Sequence, residues 1–297
     1  MSTQCVRNTY KKMKQKLEYL FLKSFYLISK IIGINLSSLL GGIILSIFGY
    51  FSSRNSLAKK NLSYAFPKMN LNEKKRIIKK MWFHFGRVIG EYPHLNKIQT
   101  KNNPKIKIIG IDNLLNPLNQ KKGCIFFSAH IGNWELSSHP LIQSGFEINF
   151  IYRAPNNSYV DSLLRKVRID YGVKLIKKGK EGAKDCIKLL RKKENLGMLI
   201  DQKMNDGLPI KFFNEIAMTA PAIIKFAKKF KCPIIPAYCV REKGTNFRIE
   251  YLPPLSNVFI KKLGSDENAL KYLNGIIERW IIKYPEQWIW IHDRWKN

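Results

Sequence analysis

From about residue 104 onward the chain alternates short apolar runs with longer stretches of helical periodicity, and this alternation narrows the possible folds more than any other feature. The apolar runs at 106–109, 124–129, 148–152, 196–200, 233–240 and 247–251 read as strands. Residues 133–144, 158–171, 181–193, 219–231 and 266–284 read as the helices between and after them. Repeated β-α-β order predicts an α/β fold with a mainly parallel central sheet flanked by helices. There is no internal repeat, low-complexity linker or composition break after residue 104, so the α/β unit is assigned to residues 61–297 and a preceding segment to residues 1–60. At 45% apolar residues, the 297-residue chain has ample material for a packed core.

The preceding segment has its own constraint. Residues 31–51 contain no charged side chain, and at about 1.5 Å per residue such a stretch matches the roughly 30 Å of a hydrocarbon core. A membrane helix or hairpin is expected there. Seven basic groups precede it (Arg7, Lys11, Lys12, Lys14, Lys16, Lys23, Lys30), and Arg54, Lys59, Lys60 and Lys68 follow closely. Both flanks therefore favour the cytoplasm, which a re-entrant or in-plane element satisfies and a single pass does not. Asn35, Ser37, Ser38 and the Gly41-Gly42 pair dilute the apolar character, leaving a buried helical hairpin of a soluble fold as the alternative. Beyond it, Asn70 or Asn72 can cap a helix starting near Glu73, with Ile77, Ile78, Met81, Trp82, Phe85, Val88 and Ile89 on one face and a basic rim.

Charge restricts the partners. Fifty-two basic residues against 21 acidic ones leave +31, a field that attracts anions such as nucleic acid, an anionic membrane or an acidic protein. No nucleic-acid-binding motif accompanies it, and the long apolar stretch suits such a role badly. Five cysteines, Cys5, Cys124, Cys186, Cys232 and Cys239, show no paired spacing and read as free thiols; the five histidines form no metal-ligand cluster.

In open parallel sheets ligands bind beyond the carboxyl ends of the strands. His130 follows the run at 124–129, Arg153 follows 148–152, and Asp201-Gln202 follow 196–200, so a base, a cation and an acid are expected at one crevice. In His130-Ile-Gly-Asn-Trp-Glu135 the Gly132-Asn133 pair reads as a turn into a helix, from which Glu135 could reach back and fix the histidine tautomer. A core histidine beside a helix-capping acid is the plainer alternative, and Asp201 could equally pair with Arg153.

Several segments taken together resemble the bacterial lipid A biosynthesis acyltransferases, the lauroyl and myristoyl transferases within the lysophospholipid acyltransferase superfamily. They are Asn61-Leu-Ser-Tyr-Ala-Phe-Pro67, the His130–Glu135 hexapeptide, Tyr152-Arg153 with Asn157, Arg168 with Gly172, Asp201-Gln202, Phe212-Phe213 followed by Ala217-Met-Thr219, and the ending from Pro285 to Lys296. The resemblance implies a glycerolipid acyltransferase-like fold. It also implies transfer of a fatty acyl chain from acyl carrier protein, occasionally coenzyme A, to a hydroxyl of a lipid A precursor at the cytoplasmic face of the inner membrane. His130 would be the general base with Glu135 orienting it. Asn133, Arg153, Asp201 and Gln202 would serve the substrate or the oxyanion: Arg153 for an oxyanion or acceptor phosphate, Asn133 for the turn and as a donor to the oxyanion, Asp201 for a substrate hydroxyl or Arg153. No cofactor is implied, because the acyl thioester is a co-substrate. Ser128 is not in a G-x-S-x-G elbow, which argues against an acyl-enzyme. The chain departs from the family at Asn214, where glycine usually follows the aromatic pair, and at Lys203. A membrane-associated esterase using the same histidine to activate water is the competing reading.

Overall fold

Seven strands form one sheet in this computed structural model, which describes the backbone of residues 3–295 and the side chains of residues 9–295; Cys5, Arg7 and Lys296 lie outside the described side chains. The strands run in chain order β1 (Ile106–Ile109), β2 (Ile125–Ser128), β3 (Ile148–Tyr152), β4 (Val173–Lys177), β5 (Leu196–Leu199), β6 (Leu208–Phe212), β7 (Glu215–Thr219), β8 (Ile234–Lys243) and β9 (Asn246–Tyr251). Spatially the large sheet is ordered β1-β9-β8-β2-β5-β3-β4, and β6-β7 form a separate hairpin. The five strands from β8 to β4 are mutually parallel, while β9 pairs antiparallel with β8 and parallel with β1. The expected mainly parallel α/β fold is observed.

The central strand explains why. Ile125 and Phe127 point into one apolar cluster with Leu196, Tyr238 and Trp280, while Cys124 and Phe126 point into another with Ile148, Ile235 and Cys239. Side chains alternate across a strand, so a strand covered on both faces must be apolar throughout, as 124–129 is. The covering helices are α4 (Ile111–Asn119), α5 (His139–Gln143), α6 (Ser158–Asp170), α7 (Lys180–Arg191), α8 (Ala222–Phe230), α9 (Asn257–Lys262) and α10 (Asp266–Lys283).

Several elements differ from the expectation, and α4 and α9 were not expected at all. β4 was not legible because it is the sheet edge, where only Val173 and Ile176 are buried and lysines alternate with them. The β6-β7 hairpin turns at Phe213, a non-glycine residue at φ 55°, and its last residue is Thr219, so the helix expected at 219–231 starts at Ala222. The helix expected over 133–144 is a 3-10 turn, Trp134–Ser138, continued by α5, with Pro140 at its first positions.

At the N-terminal side, α1 (Thr3–Tyr50) is helical throughout apart from a kink at Gly33 (φ 78°, ψ 164°), so no hairpin forms within 31–51. It is followed by α2 (Arg54–Ala65), which runs through the boundary drawn at residue 60, and α3 (Leu71–Glu91). Asn70 caps α3 through a capping box with Glu73, whose N–H donates to Asn70 Oδ1 at 2.9 Å. The 42-residue stretch Thr9–Tyr50 is long and apolar enough to cross a membrane.

The second half of α1 packs antiparallel on α3 with backbones almost in contact. A Cβ on Gly41 would lie 2.3 Å from Gly86 O, and one on Gly86 would lie 2.1 Å from Gly41 O. Small residues on both helices are what permit this approach, and any side chain would push the helices apart. Gly86→Val should therefore cost about 1–3 kcal/mol or more through overpacking, read as a lower midpoint of thermal unfolding in detergent. An unchanged midpoint would contradict the tight crossing.

Candidate active site

β2 and β5 lie side by side in parallel register, with Ser128 opposite Leu199 and Ile200 N–H donating to Ser128 O at 3.2 Å. Two residues further along each strand stand His130 and Asp201, which the register brings together. The His130 backbone N–H donates to Asp201 Oδ2 at 2.9 Å and its Nδ1 lies 2.9 Å from Oδ1. An ionised carboxylate only accepts, so Nδ1 carries a proton in either charge state of the ring, and the neutral ring has its lone pair on Nε2. Trp288 Nε1 donates to Asp201 Oδ2 at 2.8 Å. Burial of Asp201 favours its neutral form, but the His130 charge and the donors from His130 and Trp288 outweigh it and hold the carboxyl well below the usual range. The imidazole is partly open, at 20% side-chain exposure against 2% for Asp201, and its Nε2 lies on the side of the exposed Gln202.

The turn after His130 is fixed from beneath. Gly132 has φ 58°, its N–H donates to Gln287 O at 2.9 Å, and a Cβ there would fall 1.8 Å from Cys239 O. Only glycine fits both the conformation and the space. Asn133 is fully buried and donates Nδ2–H to Glu91 Oε2 at 2.8 Å, which ties the turn to the end of α3. Glu91 is itself buried and bound by Arg241 at 2.6 and 2.8 Å and by Ser38 Oγ at 2.6 Å.

Glu135 is placed differently from expectation. Its carboxylate does not hydrogen-bond His130; Arg168 takes both oxygens (Nη2 to Oε1 2.6 Å, Nε to Oε2 3.1 Å), Tyr171 donates to Oε2 at 2.7 Å, Trp134 Nε1 to Oε1 at 3.0 Å, and Tyr92 also donates to Oε1. Burial pushes the Glu135 pKa up, but Arg168 with the tyrosine donors overrides it and brings it down to about 2. Asp201, expected to meet a substrate hydroxyl or Arg153, instead partners the histidine. A hexapeptide spacing could not reveal this, because the competing carboxylate lies 71 residues away and is delivered by strand register. Tyr92 and Tyr171 carried no readable signal; Arg168 and Trp288 stood out only within the segments that carry the resemblance.

The other expected residues lie at the rim. Gln202 is exposed, with Nε2 3.5 Å from His130 Nε2. Arg153 is exposed just beyond β3, the strand next to β5, and no hydrogen bond or ion pair engages it among the described residues. Trp134 meets the His130 ring edge-on at 5.2 Å between centroids. His292 packs against Trp288, its Nε2 buried and unpartnered, and burial pushes its pKa down to about 4. Among the described residues no cluster of three or more His, Cys, Asp or Glu could hold a metal ion, and Cys124, Cys186, Cys232 and Cys239 are free and buried.

A partly open imidazole, fixed in one tautomer by a buried carboxylate at the end of a parallel sheet, can take a proton from a hydroxyl. Comparison with known proteins gives this geometry its context. The family described as bacterial lipid A biosynthesis acyltransferases matches residues 9–297. Similar proteins include the lipid A biosynthesis palmitoleoyltransferase of Escherichia coli K12, 23% identical over 266 residues covering 84% of this chain and 80% of the relative. A lipid A biosynthesis acyltransferase of Haemophilus influenzae is 25% identical over 243 residues, covering 79% and 73%. The lauroyltransferase of E. coli K12 is 22% identical over 260 residues, covering 84% and 81%. With the match running from α1 through the sheet to the C-terminal tryptophans, the chain is an acyltransferase belonging to the bacterial lipid A biosynthesis acyltransferase family.

Proposed function

We propose that this acyltransferase moves a fatty acyl chain from an acyl carrier protein thioester to a hydroxyl of a lipid A precursor, at the cytoplasmic face of the inner membrane. The observation that carries the mechanism is the Asp201–His130 pair with its Nε2 on the side of the exposed Gln202. The acceptor hydroxyl gives its proton to Nε2 as its oxygen attacks the thioester carbonyl. The carbonyl electron pair becomes the oxyanion; when it re-forms, the C–S bond breaks and the departing thiolate takes the proton from the imidazolium. Asp201 stabilises that imidazolium and keeps the ring in register. No protein nucleophile or bound cofactor enters, since the thioester is already activated. Arg153, unpaired at the rim, is suited to the acceptor phosphate or the oxyanion. Glu135 is a positioning residue that, with Arg168, props the wall behind the histidine. The +31 charge suits an acidic carrier protein and anionic headgroups, and a nucleic-acid partner is not part of this reading.

Incubating purified protein with acyl carrier protein thioesters of different lengths and a panel of lipid acceptors, with products read by mass spectrometry, tests the reaction. Acylated acceptor supports it; free fatty acid formed without acceptor would make the protein an esterase. His130→Ala should lose about 10²–10⁴-fold in turnover, as expected for loss of a general base. Asp201→Asn should lose activity to a similar order with unchanged circular dichroism.

Glu135→Gln separates the two carboxylates. It breaks a buried pair and should cost about 3–5 kcal/mol of stability. Because the Glu135 pKa is depressed from 4.5 to about 2, its contribution is present above pH 4.5 and fades as pH falls toward 2. The variant should therefore lose less stability than the wild type over that window in acid titrations followed by thermal melts. Full activity in Asp201→Asn, with activity lost in Glu135→Gln at an unchanged melting midpoint, would return the partner role to Glu135.

A further inference from the structure

We propose that α1 lies in the plane of the membrane surface, bound to the lipid of one leaflet along its outer face, and does not cross the bilayer. This inference does not rest on the acyl-transfer reading. It begins from where α1 touches the rest of the protein. Near its start, Asn157 Nδ2 donates to Gln15 O at 2.9 Å, and Tyr19 packs on Tyr159 of α6 with ring centroids 5.6 Å apart. In the middle, Ser29 is fully buried and Thr245, between β8 and β9, donates to Asn35 Oδ1 at 2.5 Å. Near its end, Gly49 lies against Trp82 of α3. One side of the helix is thus laid against the catalytic fold over almost its full described length.

A crossing helix is incompatible with those contacts. Ser38 sits near the centre of the uncharged stretch 31–51 and bonds to Glu91, which bonds to Asn133 in the turn beside His130. Setting residues 31–51 upright across a bilayer would carry Glu91, Arg241 and the ends of the sheet to the depth of the hydrocarbon, where open strand ends and loops have no water to satisfy them. The first half cannot cross either, because lysines recur along it.

The pattern of those lysines fits an in-plane helix. Lys12, Lys16, Lys23 and Lys30 are spaced by four and seven residues and form one row; Met13, Leu17, Leu20, Leu27 and Ile31 form the adjoining row, and all nine are exposed. After the Gly33 kink the outward stripe continues through Leu36, Leu39, Ile43 and Ile47, which are also exposed. A basic row edging an apolar stripe places ammonium groups at anionic headgroups and the stripe among the acyl chains.

Two measurements test this. In a Cys5→Ser background, whose four other cysteines are buried, Lys12→Cys and Lys229→Cys are probed with a membrane-impermeant maleimide in inside-out and right-side-out inner-membrane vesicles. Both should react from the same, cytoplasmic side; reaction of Lys12→Cys only from the opposite side overturns the proposal. In phosphatidylethanolamine–phosphatidylglycerol vesicles, nitroxides at Leu36→Cys and Ile47→Cys should both sit about 5–10 Å below the headgroup boundary. An upright helix would separate their depths by about 16 Å, eleven residues at 1.5 Å each. Depths that differ by that much, or labels that remain in water, also overturn it.

Discussion

One buried carboxylate holds the molecule together around its crevice. Glu91 ends α3 with no exposure to solvent and collects both terminal guanidinium nitrogens of Arg241 from β8, the hydroxyl of Ser38 from α1 and the amide of Asn133 from the turn after His130. Leaving either ion of such a pair without the other costs about 3–5 kcal/mol, which makes the four-way junction all or none. Arg87 extends it by donating to Ser38 Oγ at 2.9 Å. The surface helix, the core helix, the sheet and the turn that presents His130 therefore share one set of charges, and displacement of any one of them strains the others.

The crevice also divides work between two acids that a reading of the hexapeptide would merge. Glu135 is saturated by a guanidinium, two phenols and an indole, with no lone pair left over for a changing partner. Among the described residues Asp201 accepts hydrogen bonds only from His130 and Trp288, so its charge is directed at a titratable ring. A saturated carboxylate gives rigidity, and a sparsely bonded one gives response.

The parts of this arrangement that could be read in advance were those governed by short-range chemistry. Apolar runs located β2, β3, β5, β8 and β9 closely because these strands are covered on both faces or nearly so, and the two candidate caps Asn70 and Asn72 marked the start of α3, where the structure uses Asn70. His130, Arg153 and Asp201 were correctly expected beyond the ends of neighbouring strands. What could not be read was pairing. The choice of Asp201 over Glu135 as the histidine's partner follows from parallel register between strands 71 residues apart, and β4 escaped because an edge strand exposes too much of itself to look like the interior.

Trp288 gives this design a temporal side. Its indole completes the Asp201 carboxylate, and Asn61 of α2 donates to the carbonyls of Trp290 and His292 at 2.7 and 2.8 Å, so the closing stretch of chain is sewn onto the opening one. During synthesis α1 leaves the ribosome before the sheet, and Trp288 only after every strand of it. The Asp201 carboxylate thus gains its indole donor only after more than two hundred residues beyond α1 have been translated.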